Sequence, residues 1–351
     1  MIVDDPDVVK KINENLSSQI RVWGTLVTNK SFSSYQMCDS RIYEYLIPSH
    51  CFLPPHPSTF MGKRLVELAE KEGDLEAHKA RQEEVAGYWE DIDQNIIRPL
   101  LESYPEEIRK PVEKALHIDD DNDAVPEDES AKANEAATNA ATPSTEPTDQ
   151  PLSDEAIAFR RQIYEAVKTV KATYLKARRT YRIPAQRLDR IQQALDQYIG
   201  TKNFFNYTIQ KLHRDPSAKR HIKSFTLTRD PILIDGTEWL SLKVHGQSFM
   251  MHQIRKMVAM AAMVVRCGCD PARIADSYTS FKMAIPKAPG LGLLLERPVF
   301  DAYNKKAADL HKEKIDFAPY EQEMNEFKQR EIYDRIFREE EQTHAYGLFS
   351  P

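Results

Sequence analysis

Cysteine is scarce in this chain, with four thiols among 351 residues, at Cys38, Cys51, Cys267 and Cys269. So few thiols exclude a disulfide-stapled secreted scaffold and point to a reducing compartment. Cys267-Gly268-Cys269 has no second C-x-C or histidine pair near it, so it reads as structural cysteine and no metal is expected. No apolar run approaches the roughly 18 residues that cross a bilayer. No basic-then-apolar leader follows Met1, and no membrane partner is expected. What is present fits a folded chain of up to two ordinary domains, with 41% apolar and 29% charged residues.

The net charge of −6 hides a strong asymmetry. Residues 117–155 carry twelve acidic residues against Lys132 alone, among Ala, Thr, Pro and Asn. Such a stretch cannot bury a core and is expected to be a disordered acidic insert. From Arg160 to Arg229 the sign reverses, with 17 Lys or Arg against Glu165, Asp189, Asp196 and Asp215. That excess is a footprint for a polyanion, most plausibly nucleic acid. Aromatic residues interleave with these charges, around Arg178, Arg179 and Arg182 and again from Lys202 to Tyr207. Arginines can grip phosphates while flat rings stack on unpaired bases. Phe204, Phe205 and Tyr207 read equally as core residues near a helix end.

Three stretches carry finer information. Residues 239–244 alternate in polarity like a half-buried strand, and Gly246 and Ser248 mark a bend. From Gln253 onward Ile254, Met257, Val258, Ala261, Val264 and Val265 recur at helical spacing. Arg255 then falls in the first helical turn, among methionines and near His252. A guanidinium there is costly to desolvate unless a carboxylate or phosphate meets it. It reads either as a site residue or as a snorkelling arginine at a helix edge. Gln19–Gly24 reads as a strand. Along Arg41–Ile47 the period of two puts Arg41, Tyr43 and Tyr45 on one face, as a platform for a flat ligand or as ordinary packing. Ala185–Tyr198 has helix spacing, and strand patterns recur at 224–228 and 232–234. Helices and antiparallel strands mix without βαβ alternation, which predicts an α+β fold. The charged stretch Tyr320–Gln342 reads as a solvated helix packed by Met324, Phe327, Ile332, Tyr333 and Ile336.

Taken together, Ile20–Trp23, Cys38–Tyr45, Tyr181–Ile183, Gly200–Phe204, Asp215–Ala218, His245–Arg255 and Ile285–Glu296 resemble the TruA-type tRNA pseudouridine synthase family, in its eukaryotic nuclear branch. The resemblance spans roughly residues 1–340 apart from the acidic insert. It implies an α+β pseudouridine synthase fold, a mainly antiparallel mixed sheet flanked by helices, with the N-terminal part of the catalytic sheet outside this sequence. The implied organisation is one synthase half over 1–116, the insert at 117–155, a second half with a basic RNA-binding face over 156–300, and a helical extension over 301–351. It further implies isomerisation of uridine to pseudouridine in tRNA, with no cofactor, by a monomeric protein of the nucleus, with the mitochondrion or cytoplasm as further locations.

The resemblance also assigns roles. Tyr43 matches the tyrosine that packs on the target base, with Arg41 and His252 beside the substrate. Arg255 matches the arginine that pairs with a catalytic aspartate. Arg178, Arg179, Arg182 and Lys202 are expected on the RNA. The family's aspartate sits in a Gly-Arg-Thr-Asp-x-Gly-Val-His stretch before the Ile20–Trp23 region, and no aspartate of these 351 residues has that context. The sequence is therefore expected to be a shortened form of a working enzyme, with a non-catalytic RNA-binding remnant as the alternative. Tyr35 stands where many relatives carry arginine.

Overall fold

The computed structural model describes residues 5–118, 154–307, 309 and 311–349. The acidic stretch at 119–153 lies outside them, and its flanks at 117–118 and 154–155 are helical. In chain order the principal elements begin with β1 (Ser40–Pro48), α1 (Phe60–Glu72), α2 (Leu75–Ala80), α3 (Glu106–Ile118) and α4 (Asp154–Arg179). Next come α5 (Ala185–Asp196), β2 (Gly200–Asn203), β3 (Lys219–Leu227), β4 (Ile232–Ile234) and β5 (Thr237–Gly246). They are followed by α6 (Gln253–Arg266), β6 (Leu293–Val299), α7 (Glu321–Phe327) and α8 (Asp334–Thr343).

Two compact units emerge. One comprises Met1–Pro54 with Arg179–Pro351, the other Pro55–Arg178. Their boundaries fall at 54/55 and 178/179.

The first unit is built on an antiparallel sheet in the order β2-β3-β5-β1-β6, with β4 paired to β5. Tyr43 opposes Val244 across β1–β5, and Val244 opposes Phe225 across β5–β3. Paired residues share a face, and that face packs under α5 and α6, where Tyr198 lies 5.9 Å from Phe225. The opposite face carries Glu44, Leu46, Ser241 and Trp239, and the C-terminal helices cover it, with the Trp239 and Phe337 rings 4.9 Å apart and tilted at 57°. The half-buried strand expected at 239–244 is therefore covered on both sides, and Trp239 to Leu242 are all buried. Covering by the C-terminal segment removes the solvent face that the polar alternation implied.

That segment is not one regular helix. A π-helical stretch at Lys328–Tyr333 joins α7 to α8, and Lys328 there reaches both Glu44 on β1 and Glu296 on β6. Glu44 is 2% exposed and also accepts hydrogen bonds from Ser241 and Tyr333. Burial alone would raise its carboxyl. The bonds from Ser241, Tyr333 and Lys328 outweigh that cost and hold it below the usual carboxylate range.

The strand expected at Gln19–Gly24 does not form. The side chain of Asn13 takes both backbone groups of Val22, donating to its carbonyl at 2.8 Å and accepting from its amide at 2.8 Å. Trp23 meets Phe327 edge to face at 5.5 Å. A strand needs a ladder partner, and here side chains occupy the backbone groups instead.

The second unit is helical. Ile92, Ile97, Val112, Ala166, Val170 and Ala177 form its core. Asp93 accepts from Tyr174 at 2.7 Å and pairs with His56 at 2.9 Å.

Candidate functional site

The site expected from the sequence assembles on the β1 face that packs under α6. Two backbone features at the start of α6 place it. Gly246 ends β5, where a Cβ would stand 2.7 Å from the Phe249 ring. Its absence lets Phe249 fold back onto Tyr43, edge to face at 5.3 Å between centroids. His252 then adopts φ +64° immediately before α6, a left-handed conformation that Gly or Asn usually fills. The α6 residues expected in the core, Ile254, Met257, Val258, Ala261, Val264 and Val265, are all buried.

Arg255 is anchored rather than snorkelling. Its Nε donates to the Ala288 carbonyl at 2.6 Å, and the Ala288 amide returns a bond to the Arg255 carbonyl at 3.2 Å. Gly290 stands close to the guanidinium, where a Cβ would make ordinary contact at 3.6 Å from Cζ. Tyr45, next on the Tyr43 face, donates to the Pro289 carbonyl at 2.6 Å. Burial raises its phenol, although the nearby Arg255 charge opposes the shift. Gly292 closes the same loop, and a Cβ there would fall 2.1 Å from both the Leu46 carbonyl oxygen and the Tyr346 hydroxyl. Ile285–Glu296 is thus a backbone cradle for one arginine. Among the described residues, no carboxylate pairs with Arg255.

The surroundings are basic. Burial first, then Lys287, Arg255 and Lys256, hold the His252 imidazole below its ordinary value, so it is neutral at neutral pH. Lys256 reaches the carbonyls of Asn206 and Thr208 at 3.3 and 3.5 Å. Arg41 is half-buried where β1 pairs with Gly246.

The residues expected on RNA are placed less uniformly. In the first unit, Arg182 is exposed and Lys202 lies 5.5 Å over the Tyr278 ring. Arg179 meets the His344 imidazole at 3.0 Å. In the second unit, Arg178 sits 5.4 Å over Trp89. Phe204, Phe205 and Tyr207 are buried, so these rings are core and present no stacking platform. Cys267 is pushed up to about 11, chiefly by burial, and among the described residues no three His, Cys, Asp or Glu side chains converge as a metal site.

Comparison with known proteins decides the class. A model described as tRNA pseudouridine synthase matches residues 194–301. Tyr198, β3, β5, Arg255 and the glycine loop all fall inside it. A tRNA pseudouridine synthase 1 of Schizosaccharomyces pombe is 38% identical over 375 residues, covering 99% of this chain and 68% of the relative. The chain belongs to the tRNA pseudouridine synthase family. The tRNA pseudouridine(27/28) synthase of Saccharomyces cerevisiae is 30% identical over 346 residues, covering 98% of this chain and 77% of that one. The tRNA pseudouridine synthase 1 of Eremothecium gossypii is 39% identical over 351 residues, and there the chain spans 58% of the relative's length. The α+β fold with its antiparallel sheet is the one expected of this synthase family.

The motifs contain Phe249, Gly290 and Gly292 without assigning them a role, and mark Gly246 only as a bend. Spacing shows that a loop is rich in glycine, not which atom it must approach.

Proposed function

We propose that the protein is a tRNA pseudouridine synthase. The observation that carries this reading is Arg255, fixed from behind by Ala288 and Gly290 and open to a carboxylate or phosphate that the described residues do not supply. In the reaction the uridine C1′–N1 bond breaks, the base turns, C1′ joins C5, and the C5 proton leaves as N1 takes one up, so that the net change is an isomerisation. Reaching the base requires flipping it out of its stack, at a cost of a few kcal/mol. Tyr43, held by Phe249, offers a ring against the flipped base. Arg255 holds the catalytic carboxylate ionised and oriented, through the forked geometry that lysine lacks. Arg41 and His252 line the substrate, Lys287 and Lys256 add positive charge, and Arg178, Arg179, Arg182 and Lys202 take phosphates. The proposal extends to a monomeric protein acting in the nucleus without a cofactor, on the strength of the family resemblance.

The test is conversion of uridine in labelled tRNA by the protein purified from its own cells. Pseudouridine should form, Tyr43→Phe should slow turnover more than it weakens RNA binding, and Arg255→Lys should lose activity about 100-fold or more. tRNA binding without product would leave only an RNA-binding role. Product from residues 1–351 alone would place the nucleophile among their own aspartates.

A further inference from the structure

Surface helices normally neutralise their own charge through pairs three or four residues apart. The helical unit does so on α1, where Arg64 meets Glu67 at 2.9 Å, on α2, where Lys79 meets Glu76 at 3.0 Å, and on α3, where Lys110 meets Glu106 at 2.7 Å. The solvent side of α4 does not. Its core stripe is Ile163, Ala166, Val170, Tyr174 and Ala177. On the other side Arg160, Arg161, Tyr164 and Lys168 are all exposed, with Tyr164 57% exposed. Tyr164 has Arg160 and Arg161 one turn before it and Lys168 one turn after, so cations flank its ring at both ends. Glu165 lies within helical reach of Arg161 and Lys168, yet among the described residues no carboxylate pairs with Arg160, Arg161 or Lys168.

A solvated face accounts for mixed charge, but here three cations face the single carboxylate of Glu165, which pairs with none of them, around an exposed aromatic ring. We propose that this ridge of α4 is an RNA-binding surface, separate from the residues matched by the family model at 194–301. The inference rests on the proposed tRNA substrate and adds a contact to it. An RNA strand supplies both things the ridge lacks, phosphates for Arg160, Arg161 and Lys168 and a base or ribose face for Tyr164. Arg161 to Lys168 spans about 10 Å along the helix, long enough for more than one phosphate. Contacts of this kind add affinity without reading sequence.

The experiment compares tRNA binding by the full chain with that of a variant carrying Arg160→Gln, Arg161→Gln and Lys168→Gln, and with Tyr164→Ala. These positions are exposed, so thermal unfolding should not move. The triple variant should bind tRNA about ten- to a hundredfold more weakly at 0.15 M salt. Its slope of log affinity against log salt should fall by about two, because fewer counterions are released. Tyr164→Ala should weaken binding several-fold and leave the slope unchanged. Affinity and slope equal to wild type in the triple variant would overturn the ridge and leave the tRNA reading intact. So would loss of heparin binding with tRNA binding unchanged. A wild-type chain that fails to bind tRNA would remove both readings.

Discussion

Tyr43 and Phe249 meet edge to face at 5.3 Å and 82°, although 206 positions separate them. The contact exists because Gly246 leaves the space that Phe249 occupies. An aromatic pair of this geometry contributes about 1 kcal/mol beyond its buried area.

If Phe249 orients Tyr43, Phe249→Leu should lower kcat about fivefold with tRNA affinity unchanged, and Phe249→Tyr should restore it. In the Tyr43→Phe background the same change should have a smaller effect. Additive effects on kcat would show that the two rings act independently.

Gly290 and Gly292 should differ sharply. Alanine at 290 makes ordinary contact with Arg255 and should leave Tm within a few degrees. At 292 its Cβ would collide with the backbone of Leu46, which cannot yield as a side chain does. Gly292→Ala should cost about 3 kcal/mol or more, read as a lower denaturant midpoint. Equal midpoints for the two variants would contradict the cradle.

Lys328→Met leaves Glu44 buried without its cation, while Ser241 and Tyr333 still donate to it. Removing one partner of a buried pair costs about 3–5 kcal/mol. The double change Lys328→Met with Glu44→Gln should recover much of that loss. A single variant as stable as wild type would mean that the hydroxyl donors suffice.

Glu340 is raised to about 6, chiefly by burial, against the help of the Tyr346 amide. A raised carboxyl binds its proton more tightly in the folded state than in the unfolded one. Its contribution is therefore fully present below about pH 4.5 and is lost as pH rises through about 6. Glu340→Gln should flatten that part of the stability profile, with an amplitude of about 2 kcal/mol. Chemical denaturation across pH 4–7 reads it, and an unchanged profile would assign the slope to other groups.

Much of this protein was legible in the residues alone. The apolar period of α6, the strands at 224–228, 232–234 and 239–244, and the one-sided Arg41–Tyr43–Tyr45 face depend on local geometry, which a sequence states directly. The family followed from motifs whose types and spacing were visible. Tertiary structure alone decided that 239–244 is covered on both faces, because the covering Trp239–Phe337 contact joins segments almost a hundred residues apart. It also turned Gln19–Gly24 into a loop, since Asn13 took the backbone groups a ladder would have used. Above all it resolved Arg255. Periodicity left an anchored site residue and a snorkelling side chain equally open, and only the return of Ala288 and Gly290 to the start of α6 distinguishes them. A guanidinium is defined by what surrounds it, and those surroundings come from chain more than thirty residues away.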